Sequence, residues 1–142
     1  MDYIKMYFIT LAVFFVIDLT WLGLIAKNLY SQQLGFIMKE NVNWIAAVTF
    51  YLIFIIGIVY FVVNPAIIND NWRYALFAGM LFGFITYATY DLTNLATLKD
   101  WPLKITIIDL IWGTSLGGLT SIISFLINKR ILWFNILLEQ IW

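Results

Sequence analysis

The chain has 142 residues, 63% of them hydrophobic and 11% charged, against roughly 45–50% and about 25% in an ordinary soluble domain; so few charges cannot cover a water-facing surface, and most of the outside must meet lipid. Eight basic residues balance eight acidic ones, which removes the basic field that nucleic-acid binding needs, so no nucleic-acid partner is expected. Cysteine and histidine are both absent, which excludes disulfides, thiolate and imidazole metal sites, and cysteine or Ser-His-Asp nucleophiles.

What remains for acid–base chemistry is Asp, Glu, Lys or Tyr, and any metal would have to be held by oxygen ligands, which favours Mg²⁺, Ca²⁺ or Mn²⁺. Nothing in the residues names a cofactor.

A hydrocarbon core about 30 Å thick needs ~20 mostly apolar residues per helix. Four stretches meet that length, at about 3–26, 44–63, 72–95 and 103–127. They predict an all-α integral membrane four-helix bundle with short loops, one domain over 1–130, and membrane lipid as its solvent. The first stretch is too long for a signal-peptide core and is followed by no small-x-small cleavage site, so it reads as a retained helix. The second is expected to stop at Asn64-Pro65, because proline breaks the helical hydrogen-bond ladder. Residues 27–43 form the longest connection, with a turn of interfacial helix around Tyr30 and Leu34; 64–71 and 96–102 read as tight loops.

Asp70 and Asp100 stand just before the third and fourth helices and read as N-caps. Trp44, Trp72 and Trp101, near helix ends, fit an aromatic belt. After Asn128-Lys129-Arg130, the apolar tail 131–142 is too short to span. Its Ile131, Trp133, Phe134, Leu137, Leu138, Ile141 and Trp142 fit a short interfacial helix or a surface for a neighbouring subunit.

Small residues recur every fourth position, as Ala75, Gly79 and Gly83 in the third helix and Gly113, Gly117 and Ser121 in the fourth. Such faces let backbones approach closely in lipid. They predict packing of the third helix on the fourth, or a homo-oligomer seam through Gly79, Gly83 or Gly113, Gly117. Orientation is a tie: Lys5, Arg73, Lys129 and Arg130 lie on the side of the termini, Lys27, Lys39, Lys99 and Lys104 on the other. Lys129-Arg130, the one basic pair abutting a span, favours termini inside.

Three aspartates lie within the predicted spans: Asp18, Asp91 and Asp109. Each would cost on the order of 2.5–3.5 kcal/mol if it faced lipid at mid-helix. Alternating helix directions bring all three to the leaflet bounded by 27–43 and 96–102. Spacing of i, i+3 sets Trp21 beside Asp18, Asn94 beside Asp91 and Trp112 beside Asp109, with Tyr87 one turn below Asp91. The expected pocket therefore contains Asp18, Trp21, Tyr87, Asp91, Asn94, Asp109 and Trp112. Indole N–H groups donate to carboxylates and indole faces hold cations. The plainer alternative is that each aspartate bonds a nearby Trp, Thr or Asn and fixes helix registry.

The run Tyr90-Asp91-Leu92-Thr93-Asn94-Leu95-Ala96-Thr97-Leu98-Lys99-Asp100-Trp101-Pro102 resembles the signature of a bacterial family of small four-helix membrane proteins known only as a domain of unknown function. Asp18-Leu19-Thr20-Trp21-Leu22-Gly23, Asn43-Trp44, Tyr51 and Asp109-Leu110-Ile111-Trp112-Gly113-Thr114 extend the resemblance up to about Lys129; the tail lies beyond it. The resemblance implies a multi-pass protein of the bacterial inner membrane, and brings no activity or catalytic residues to carry over. Three roles stay open: a module binding a cation, an amine or a polar lipid head group; a small enzyme acting on lipid, with Asp91 or Asp109 as acid or base, carboxylate-held Mg²⁺ or Mn²⁺, and Lys99 and Lys104 meeting phosphate; and a proton- or cation-coupled transporter.

Overall fold

The structure is a computed structural model that describes residues 2–141, with side chains described through Glu139. Trp142 of the expected tail lies outside the described residues, as does the side chain of Ile141. Among the described residues there are four long helices: α1 Tyr3–Leu34, α2 Trp44–Ile68, α3 Trp72–Thr97 and α4 Leu103–Ile141, and no strand. Each is long and apolar enough to cross a membrane.

Three of the four begin on an Asx cap. Asp2 accepts from the Ile4 N–H, Asn43 from Ala46 and Asn71 from Tyr74, at 3.0–3.1 Å. These side chains satisfy N–H groups that have no partner inside the helix.

Asp70 is therefore not the cap of α3; its neighbour Asn71 is. Asp70 has a left-handed backbone, φ 48°, because it closes α2. Its N–H bonds the Ile67 carbonyl at 3.2 Å, and the Asn71 N–H bonds Ala66 at 2.9 Å, the paired closure of a Schellman motif. The Asp70 carboxylate is free for an ion pair with Lys129 of α4. Asp100 is not a cap either: it too is left-handed, φ 62°, and the first bonds of α4 run to the Pro102 carbonyl instead.

Three helices run further than expected, and in two of them a π turn lies near the expected end. α1 runs through a π turn over Leu22–Ala26 and on past Lys27 to Leu34, so the interfacial turn around Tyr30 is a continuation of α1. A second π turn, Val59–Val63, lets α2 pass through Asn64-Pro65 and end at Ile68. Proline at 65 removes a hydrogen bond to the Phe61 carbonyl, and the Tyr74 hydroxyl of α3 takes up that oxygen at 3.2 Å.

The expected stop at Asn128-Lys129-Arg130 is also absent. α4 continues through it, so the tail is the end of a 39-residue helix rather than a separate short one. No proline or glycine follows Gly118 to break it.

The tightest seam is α3 against α4. A Cβ on Gly83 would run into the Gly113 carbonyl oxygen and come within 3.1 Å of the Gly117 Cα; one on Gly79 would come within 2.6 Å of the Gly117 carbonyl oxygen. The two small-residue faces thus meet each other inside the chain. A larger apolar core joins α1 and α2 to this pair through Met6, Phe14, Phe54, Ile55, Ile58, Val62, Val63 and Leu116. Leu24, Ile45 and Ile68, by contrast, are 80%, 82% and 72% exposed: the outer surface is apolar, as a lipid-facing surface requires.

Candidate functional site

Each buried aspartate ends or continues a four-residue stripe. On α1 the buried positions are Met6, Thr10, Phe14 and Asp18. On α3 they are Ala75, Gly79, Gly83 and Asp91. On α4 Asp109 precedes Gly113 and Gly117, both buried, by the same interval. An interval of four keeps side chains on one helix face, so the apolar stripes that build the bundle also carry the carboxylates inward. Asp18, Asp91 and Asp109 are 4%, 0% and 6% exposed.

The carboxylates meet two adjoining cavities. One, of about 330 Å³, is lined by Asp18, Trp21, Tyr30, Tyr51, Tyr87, Tyr90, Trp101, Asp109 and Trp112, among others. The other, of about 320 Å³, is lined by Phe50, Tyr87, Tyr90, Asp91 and Asp109. Tyr87, Tyr90, Phe50 and Asp109 belong to both. Six of the seven residues expected from sequence therefore line this paired space.

Asn94 is the exception. It is half-buried in the last turn of α3, lines neither cavity, and makes no bond to Asp91.

Partners differ from the expected ones. The Tyr51 hydroxyl donates to Asp18 at 3.1 Å, and the Tyr30 hydroxyl donates to Asp109. Trp21 does not serve Asp18: its indole stacks on Trp112, with ring centres 4.3 Å apart and planes within 9°, and its buried N–H has no partner. A stacked indole turns its edge along the partner ring rather than toward the carboxylate three residues earlier. Both oxygens of Asp91 are buried and accept no hydrogen bond.

Sequence reasoning missed Tyr30, Phe50, Tyr51, Tyr90 and Trp101. Tyr30 was hidden by the π turn. Twelve positions separate it from Asp18, and a regular helix at ~100° per residue would set it roughly 120° away. The π turn rotates less per residue and brings it back toward the carboxylate face. Trp101 leaves the expected aromatic belt: it is 8% exposed, its N–H donates to Thr106 at 3.1 Å, and its ring meets Tyr90 edge-on at 5.9 Å.

The three aspartates line the paired space without gathering at one point. Among the described residues, no three acidic side chains come together as a metal site.

Neither a curated protein nor a solved structure matches the chain. A family model does, over residues 3–126, which takes in α1, α2, α3 and α4 as far as Leu126 and leaves out the rest of the tail. By that match the chain belongs to DUF2177, a family described as predicted membrane proteins.

Proposed function

We propose that the chain is a binding module of the bacterial inner membrane, whose paired intramembrane cavity holds a cationic group: a cation, an amine or a polar lipid head group. The observation that carries this reading is Asp91. In its ionised form, a carboxylate with no exposed surface and no donor to either oxygen is strongly unfavourable unless a bound group supplies the missing charge and hydrogen bonds, the alternative being that it keeps its proton. It stands in a cavity walled by Phe50, Tyr87 and Tyr90, and aromatic faces favour a cation. Registry alone accounts for Asp18 and Asp109, each bonded by a tyrosine, but not for Asp91.

A lipid-modifying enzyme and a coupled transporter lack a comparable observation, and binding takes precedence over both. The test uses the full chain in an uncharged detergent. Small organic cations are titrated while the emission of Trp21 and Trp112 and the melting temperature are read. A saturable response, lost when Asp91 and Asp109 are both changed to Asn in a protein that still melts cooperatively, supports the reading. No response to any cation removes it.

A further inference from the structure

We infer that the group held at Asp91 and Asp109 is a primary ammonium and not a quaternary one. This deepens the binding reading above and rests on it.

The argument is one of donors. Asp91 offers two carboxylate oxygens, neither of which receives a hydrogen bond. Asp109 offers its Oδ2, since Tyr30 occupies Oδ1. A primary ammonium has N–H donors in matching number, three on one nitrogen, and charge-assisted bonds of this kind are the strong ones. A trimethylated ammonium has none. It would neutralise charge but leave the buried Asp91 oxygens without donors, which is the defect to be explained.

The walls fit the rest of an amine. Phe50 and Tyr90 line the cavity beside Asp91 and are 50% and 61% exposed on the outer surface of the bundle. These two walls belong to α2 and α3, so the cavity reaches the surface beside helices whose outer faces are apolar. An amine carried on a hydrophobic body can enter from the bilayer with its carbon chain against Phe50 and Tyr90. Two sources share this chemistry: the head group of an aminophospholipid, and a free alkylamine.

The experiment compares n-butylammonium with butyltrimethylammonium on the full chain in maltoside micelles, by calorimetry and thermal shift. The expected result is an affinity for the primary amine at least about tenfold higher, the size of one charge-assisted bond gained or lost. Asp91→Asn should erase that preference, and Asp109→Asn should reduce it. The ratio is read on the unmodified chain, so it holds even where a variant fails to fold. Nanodiscs of phosphatidylethanolamine with phosphatidylglycerol, compared with phosphatidylcholine and phosphatidylglycerol, separate the sources. A higher melting temperature in the ethanolamine lipid identifies a head group; stabilisation by butylammonium alone identifies a free amine; either supports the inference. Equal affinity for the two probes overturns the primary-amine assignment and leaves the pocket standing. Silence from both overturns the pocket as well.

Discussion

Gly83→Ala should loosen the whole bundle through the addition of one methyl group. The new Cβ would fall on the Gly113 carbonyl oxygen, with the Gly113 carbonyl carbon at 2.8 Å and the Gly117 Cα at 3.1 Å. All three atoms are backbone, so no rotamer change relieves the clash and α3 must move away from α4. Overpacking costs about 1–3 kcal/mol, and a backbone-on-backbone clash with no rotamer to relieve it belongs at the upper end, about 2–3 kcal/mol. Alanine's better helix propensity returns up to ~1 kcal/mol. The net loss is about 1–2 kcal/mol, or roughly 3–8 °C in melting temperature for a chain of this size.

Gly23→Ala is the matched control. Its Cβ would meet nothing within 4 Å, so stability should hold or rise slightly. Denaturation of both variants in micelles by sodium dodecyl sulfate titration, followed by tryptophan emission, measures the difference. The seam also sets the spacing of the site: Asp91 stands eight residues beyond Gly83 and Asp109 four before Gly113. Gly83→Ala should therefore weaken butylammonium binding as well, while Gly23→Ala should not. A Gly83→Ala protein as stable as its parent would refute the reading of α3 and α4 as a backbone-to-backbone seam.

Removing the hydroxyls that serve the carboxylates should be costly: Tyr51→Phe and Tyr30→Phe each leave a buried aspartate oxygen without its donor, for a loss of about 1.5–3 kcal/mol, read in the same titration. Tyr74→Phe strips the partner from the Phe61 carbonyl freed by Pro65; a loss near 0.6 kcal/mol, typical of hydrogen bonds between membrane helices, is expected, and none at all would mean the oxygen finds another donor. At Asp70, where φ is 48°, Gly should be tolerated and Ala should melt lower by about 1–2 kcal/mol, the strain of a left-handed residue. Loss of the exposed ion pair with Lys129 is common to both variants and small, so equal stability of the two would show that backbone strain is not what Asp70 relieves.

How much of this was legible depended on which force set each feature. The aspartates were readable because an acidic residue in an apolar helix has a large cost wherever it faces lipid, which turns it inward, and alternating helix directions put the three at the same end of the bundle. The α3–α4 seam was readable because small residues at that interval have few other uses. Helix ends were not. Pro65 is a genuine stop signal in a regular α-helix, and a π turn carries α2 past it; Lys27 ends an apolar stretch but not a helix, and α1 runs on through it. The π turn in α1 moved Tyr30 into the site. Asp70 and Asn71 are both good caps by type, and only the left-handed closure of α2 decides between them. Asn94 and Trp21 had the right spacing, but spacing fixes a face and not a partner: stacking on Trp112 took Trp21 away from Asp18, and Tyr51 came from another helix to replace it.

The glycine seam bears on how such a site can change its preferences over time. Asp91 and Asp109 hang from two backbones that touch at Gly83 and Gly113, with the Tyr87 ring packed on Gly113 between that contact and the charges, so the glycines hold the interval between the charges nearly fixed. The opposite wall is built from Tyr30 on α1 and from Phe50 and Tyr51 on α2, whose rings can be exchanged for smaller or larger ones. A protein built this way would keep the charge pattern it recognises while altering the size and shape of what carries that charge, and a shift of ligand among related chains would be written at positions 30, 50 and 51 before it touched the glycines.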